Sequence, residues 1–305
     1  MRFARPLIPV GAEAVSEPVL LPVDPLDQLT VTMYFSRPTG PATFHDIAAA
    51  TSYRAEGDHR FDHRGTAFTS TTTSSWYYLS GVDVLSGSRG AVVTFGDSVT
   101  DGTGSTPDAD RRYPDALADR LVAAGLPLSV LNAGISGNRV LNDSACFGEK
   151  AVARFQRDVL DRPGIRTVIV MEGINDIGFH GAAEPCFLPN DTPVTAEQLV
   201  EGHRTLIRAA HSRGIRIIGG TLMPFEGSFF YNTDREAVRD EVNEWIRTSG
   251  EYNGVVDFER ALTAPGKPDR LRREFNEHAG QEGDWLHPND AGLAAMAAAV
   301  NLADL

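Results

Sequence analysis

From residue 90 onward, five short apolar runs alternate with helix-length amphipathic segments, and this pattern restricts the fold more than any other feature of the chain. The runs are AVVTF (91–95), LSVLNA (128–133), RTVIVME (166–172), RIIGGTL (216–222) and GVVDF (254–258). Short runs that are apolar throughout, rather than alternating, suit strands buried on both faces. Between them, TAEQLVEGHRTLIRAAHSRG pairs Thr195 with Gln198 as a capping box, carries Leu199, Leu206, Ile207 and Ala210 on one face, and ends at Gly214. TDREAVRDEVNEWIRTSG offers a second box, Thr233 with Glu236, and a face of Val238, Val242, Trp245 and Ile246. Residues 151–160 place Val152, Phe155 and Val159 on one stripe. Strands alternating with helices predict an α/β architecture with a parallel sheet covered on both faces, whose ligands sit at the carboxyl ends of the strands.

Before residue 88 the pattern differs. LTVTMYF (29–35) and SSWYYLSGVDVL (74–85) alternate with period two, separated by the turn-rich RPTGPAT and the polar run TSTTTSS. These read as β-strands. We therefore expect residues 1–88 to form a β-rich, sandwich-like accessory domain and residues 89–305 to form the α/β domain.

The chain has 305 residues and a formal charge of −13, a surface that would repel phosphates. Nucleic acid and anionic membrane are thus poor partners. No apolar run has the length of a membrane span, so insertion is not expected. The first residues, MRFARPLIPVGAEAV, lack the sustained apolar stretch of a signal peptide, although a leader could already be missing. Cys146 and Cys186 form no CxxC pair and have no histidines at metal-ligand spacing. Two separate thiols and one disulfide both remain open. His59 and His63 stand four apart, but in a polar stretch without helical patterning, so a solvated loop is the better reading.

Four motifs fall after strands or before the last helix. TFGDSVTDG puts Ser98 in the turn after the first strand, NAGISGNR puts Gly137 after the second, and MEGINDIG puts Asn175 and Asp176 after the third. GDWLHPND sets Asp284 and His287 three apart before the final helix. Each alone is ordinary turn or cap chemistry. Together they supply a hydroxyl, an imidazole with its own carboxylate, a small residue with an open N–H, and a side-chain amide. Acyl transfer needs those parts as nucleophile, base, orienter and oxyanion donors.

The four segments, in this order, resemble blocks I, II, III and V of the SGNH or GDSL-like hydrolases, over about residues 91–300. GDSV stands where the family name would have Leu, a packing difference. The resemblance implies a three-layer, flavodoxin-like α/β/α fold with a five-stranded parallel sheet. It implies a serine esterase in which Ser98 is the nucleophile, His287 the base and Asp284 its orienter. Ser98, Gly137 and Asn175 would form the oxyanion hole. The substrate would be a small-molecule ester, with no metal or organic cofactor. The β-rich segment resembles the region preceding the catalytic domain in a secreted bacterial subgroup, which implies secretion. A carbohydrate-binding or scaffolding module with a relict site, and an acetylesterase for acylated sugars, are the alternative functions. The loops 138–149, 177–194 and 224–232 are rich in polar residues, Gly and Pro and suggest no lid, so short acyl chains are expected. The aromatics Phe225, Phe229, Phe230 and Tyr231 could line a pocket there or pack against the core.

Overall fold

The computed structural model describes residues 7–69, 71–85, 87–180, 186, 193–278 and 280–305. Most of the loop 177–194 therefore lies outside the described residues. Met1–Val31 and Thr32–Leu305 are two compact units. Among the described residues, no helix is long and apolar enough to cross a membrane.

The second unit opens with two small antiparallel ribbons. β1 (Phe44–His45) pairs with β4 (Trp76–Tyr77), and β2 (Ser52–Arg54) pairs with β3 (Thr71–Thr73). Among the described residues the expected strand at 29–35 does not pair with another, and its Leu29, Val31, Met33, Tyr34 and Phe35 are all exposed. Alternation fits a half-buried strand, but a strand forms only where a neighbouring edge takes its hydrogen bonds. Of 74–85, only Trp76–Tyr77 is paired.

Next come β5 (Gly90–Gly96), α1 (Ser98–Asp101), α2 (Tyr113–Ala123), β6 (Leu128–Gly134), α3 (Ala151–Phe155, continued by a π-helical turn over Gln156–Leu160) and β7 (Ile165–Met171). They are followed by α4 (Ile174–Gly178), α5 (Ala196–Ser212), β8 (Arg216–Gly220), α6 (Thr233–Thr248), β9 (Gly254–Val256) and α7 (Phe258–Leu262). Two short ribbons, β10 (Thr263–Ala264) with β11 (Lys267–Leu271) and β12 (Glu277–His278) with β13 (Gln281–Glu282), bracket α8 (Arg273–Asn276). α9 (Asp290–Ala299) closes the fold.

The central sheet is parallel with order β6-β5-β7-β8-β9. This is the flavodoxin-like order, whose topological switch lies between β5 and β7. Helices α2, α7 and α9 pack together, as do α3, α5 and α6. The five expected strands are all present. β5, β7 and β8 are buried almost throughout, whereas edge strand β6 is only half-buried, as its less uniformly apolar sequence suggests.

The α5 capping box is present as expected, with Thr195 Oγ accepting from the Gln198 N–H and the Gln198 side chain accepting from the Thr195 N–H. At α6 the cap is Asn232, one residue earlier than expected, and its Oδ1 accepts from the Arg235 N–H at 2.8 Å. Glu236, expected to reach back to the cap, instead holds the fully buried Arg239. A buried cation needs an anion more than an exposed helix end does.

Candidate active site

Register lines up the ends of three strands. Gly96 of β5 stands opposite Gly134 of β6 and opposite Met171 of β7. The turns that follow, 97–98, 135–138 and 172–175, therefore emerge side by side at the switch point. α1 starts immediately, with Asp97 as N-cap accepting from the Val99 N–H at 3.1 Å. Gly134 is required here because the α1 backbone at Thr100 and Asp101 lies where a Cβ would be.

Ser98 is buried at the first position of α1. His287 reaches it from 189 residues away in sequence, with Nε2 at 2.8 Å from Ser98 Oγ. On the other side of the ring, His287 Nδ1 lies 2.6 Å from Asp284 Oδ2. An ionised carboxylate only accepts, so Nδ1 carries the proton and the Nε2 lone pair faces the serine hydroxyl. Asp284 Oδ1 accepts the backbone N–H of Leu286 at 3.0 Å and of His287 at 2.9 Å. Partial burial works against ionising Asp284. The hydrogen bond and charge of His287, with those backbone donors, outweigh it and hold the carboxyl well below the usual range.

The turn carrying this pair is strained and braced. Trp285 has φ +58°. Its N–H donates to Asn276 Oδ1 at 2.7 Å, its indole N–H to Glu282, and the Arg270 guanidinium lies 3.9 Å from its ring centroid. His278 Nε2 lies 3.0 Å from the His287 carbonyl. Such bracing holds a sparsely populated backbone conformation in place.

Gly137 has φ +76°, and the Phe147 ring occupies the space a Cβ would take. Asn175 is buried, and its Nδ2 donates to the Asn138 carbonyl at 2.9 Å. The second Nδ2 proton has no partner among the described residues, nor do the backbone N–H groups of Ser98 and Gly137.

Several residues that hold this arrangement are not obvious in the sequence. Arg154, fully buried, donates to the Gly96 carbonyl at 2.9 Å, the Ala133 carbonyl at 2.8 Å and Asn138 Oδ1 at 2.8 Å. It thereby ties the ends of β5 and β6 together. The available signal was its place three residues after buried Ala151, on the inner face of α3. Asp176 accepts from Val140 N at 2.7 Å and Leu141 N at 3.0 Å, and burial raises its pKa to about 7. Burial likewise raises Asp97 to about 6 and, with the charge of Asp97 beside it, raises Glu172 well above its ordinary value. Asp101 accepts from Ser136 N at 3.1 Å and Ser136 Oγ at 2.6 Å, and its other oxygen lies 2.6 Å from His45 Nε2. No pattern in the sequence links His45 to this turn.

Cys146 and Cys186 are disulfide-bonded, with Cα atoms 5.1 Å apart. Phe147, beside Cys146, stacks on Phe179 at 5.3 Å between centroids, and Phe179 meets Phe230 edge-on at 4.8 Å. Phe225 and Phe230 are buried, whereas Phe229 is exposed. His59 is hydrogen-bonded to the Glu56 carbonyl. Among the described residues, one group has ligand atoms close enough for a metal: Glu236, Asp240 and Asp269. It surrounds the Arg239 guanidinium, which already supplies the balancing charge.

Residues 94–295 match the model of the GDSL-like lipase/acylhydrolase family. No curated protein is similar enough in sequence to count as a relative. Among solved structures, an acetyl xylan esterase from Geobacillus stearothermophilus is 24% identical with a TM-score of 0.52, over 70% of this chain and 93% of that one. An α/β hydrolase enzyme from the metagenome of Lake Arreo, Spain, is 24% identical with a TM-score of 0.50, over the same shares. A lipase/acylhydrolase from Enterococcus faecalis is 21% identical with a TM-score of 0.50, over 68% of this chain and 92% of that one. At these identities the structures share the fold, and the family match covers most of the α/β portion with the turns bearing Ser98 and His287. The chain belongs to the GDSL-like lipase/acylhydrolase family and is a carboxylic ester hydrolase.

Proposed function

We propose that the protein is a serine esterase that cleaves short-chain carboxylic esters through an acyl-enzyme. The observation that carries this reading is the chain Asp284–His287–Ser98, joined at 2.6 and 2.8 Å. His287 Nε2 takes the Ser98 proton as Oγ attacks the ester carbonyl, and Asp284 holds the imidazole in the tautomer that permits this. The unspent N–H groups of Ser98, Gly137 and Asn175 stabilise the oxyanion. The ester C–O bond then breaks, and the departing alkoxide oxygen takes the proton from Nε2. Water, deprotonated by the same imidazole, releases the acid and restores Ser98.

The aromatic wall of Phe147, Phe179 and Phe230 beside Gly137 supports an acyl group of acetyl to butyryl size, because rigid stacked rings leave little room for a long chain. The acetyl xylan substrate named for the Geobacillus fold neighbour suits the same reading. We further propose that residues 1–88 act as an accessory segment to a catalytic portion at 89–305.

Hydrolysis of 4-nitrophenyl acetate, with Ser98→Ala as control, is the direct test. Wild-type turnover together with covalent labelling by a fluorophosphonate, both abolished in folded Ser98→Ala, is the expected result. A wild-type protein inert to both reagents would favour a binding module with a relict site.

A further inference from the structure

We propose that the N-terminal segment builds a subsite for the alcohol portion of the ester, and that this alcohol is a neutral, hydroxyl-rich group such as a sugar ring. The proposal rests on the serine-esterase reading above. In that mechanism the leaving oxygen takes its proton from His287 Nε2, so the alcohol must lie on the His287 side of Ser98. That side opens into a hollow of about 430 Å³ bordered by Thr103, Gly104, His278, Glu282, Asp284 and His287. Thr103 and Gly104 also line a second hollow, of about 380 Å³. The two thus meet at one short stretch of backbone just after α1. The far wall of the second hollow comes from 47–51 and from β3 with Ser74.

The chemistry of that wall selects the occupant. Among the described residues, no charged side chain lines the second hollow. Ile47, Ala49 and Pro107 offer apolar surface, and Thr72 and Ser74 offer hydroxyls that have no partner among the described residues. Other hydroxyls there are spent: Thr51 Oγ1 donates to Asp108 at 2.6 Å, and Thr103 Oγ1 lies 3.1 Å from Ser136 Oγ. Apolar surface interleaved with free hydroxyls matches a pyranose ring, which has C–H faces and a polar rim. A carboxylate or phosphate would find no cation in this hollow and would enter against a chain charge of −13.

The wall is tied to the catalytic portion by buried or short polar links. His45 meets Asp101 at 2.6 Å, Arg112 donates to the Ala48 carbonyl at 2.5 Å, and the Thr51 N–H donates to Asp108 at 2.6 Å. A preorganised wall costs little ordering when the ligand binds.

The test compares acetate esters that share one acyl group: ethyl acetate, 4-nitrophenyl acetate, and the 3-O-acetyl esters of methyl glucoside and of methyl glucuronide. In the wild type, kcat/KM for the acetylated glucoside should exceed that for ethyl acetate and for the anionic glucuronide by about tenfold or more, the difference lying in KM. Ser74→Trp, which fills the hollow, should lower the glucoside-to-ethyl ratio by about tenfold. The milder pair Thr72→Val with Ser74→Ala should lower it by a smaller factor, and it serves if the tryptophan variant does not fold. A wild-type ratio near unity, or a ratio unchanged in both folded variants, would overturn the subsite while leaving the esterase intact. Absence of turnover on all four esters, with no fluorophosphonate labelling, would instead remove the esterase reading on which the subsite rests.

Discussion

At the scale of residues, the proposed mechanism gives Ser98 and Asn175 different tasks: Ser98 would make the covalent bond, and Asn175 would only donate to charge that develops in the transition state. Asn175 already spends one amide proton on the Asn138 carbonyl at 2.9 Å, so that bond positions the other. Loss of one oxyanion donor typically costs about 10²–10³ in kcat. Asn175→Ala should therefore lose roughly that factor with KM little changed, and Ser98 should still react, slowly, with a fluorophosphonate. A folded Asn175→Ala with normal kcat would assign the residue to holding the turn alone. The residues proposed to carry the chemistry, Ser98, Gly137, Asn175, Asp284 and His287, were legible because each sits in a short motif after a strand or before the last helix. Arg154 and His45 were not, since their partners are backbone carbonyls and a distant carboxylate that no local spacing reveals.

Elements bear two further predictions. The N-terminus of α6 is capped by Asn232 rather than Thr233. Asn232→Ala should lower stability by about 1 kcal/mol, and Thr233→Ala by clearly less, in urea unfolding of each. Equal losses would return the cap to the position the sequence suggests. The Cys146–Cys186 bond joins the loop after β6 to the loop after α4 across 40 residues of sequence. Closing a loop of that length stabilises by roughly 3–4 kcal/mol in the chain-entropy model. Cys146→Ser with Cys186→Ser should lose up to that amount, and alkylation of the unreduced, unfolded wild type should label no thiol by intact mass. The sequence left this pairing open because cysteine spacing carries no information about which loops meet in space.

For the molecule as a whole, the buried acids under the sheet end set a dependence on pH. Asp97 and Asp176 have folded pKa values of about 6 and about 7, against an ordinary value of 3.8, so the native state binds more protons than the unfolded chain between those limits. Their contribution therefore falls as pH rises from about 4 to 7. His203, buried and pulled down to about 4, acts in the opposite sense over a similar window. The difference between wild type and a single variant separates them. Asp97→Asn keeps an acceptor for the Val99 N–H but cannot ionise. It should match the wild type near pH 4 and exceed it by about 1–3 kcal/mol at pH 7.5. A constant difference across that range would mean that Asp97 titrates normally, despite Glu172, Asp101, Arg154 and His287 around it.

The alternation of apolar runs and amphipathic helices was enough to place five parallel strands, because burial on both faces leaves its mark on every residue of a strand. The motifs at the strand ends were enough to nominate the site, because a nucleophile, its base and their donors need particular residue types. Tertiary structure alone decided the rest. The stretch 29–35 alternates like a strand yet joins no ladder among the described residues, since pairing depends on an available edge and not on the stretch itself. Glu236 left its expected cap for Arg239 because a buried guanidinium must be neutralised. His45 of β1 came to rest on Asp101 of α1, 56 residues away, and long-range contacts of that kind are properties of the fold and not of any segment of the sequence.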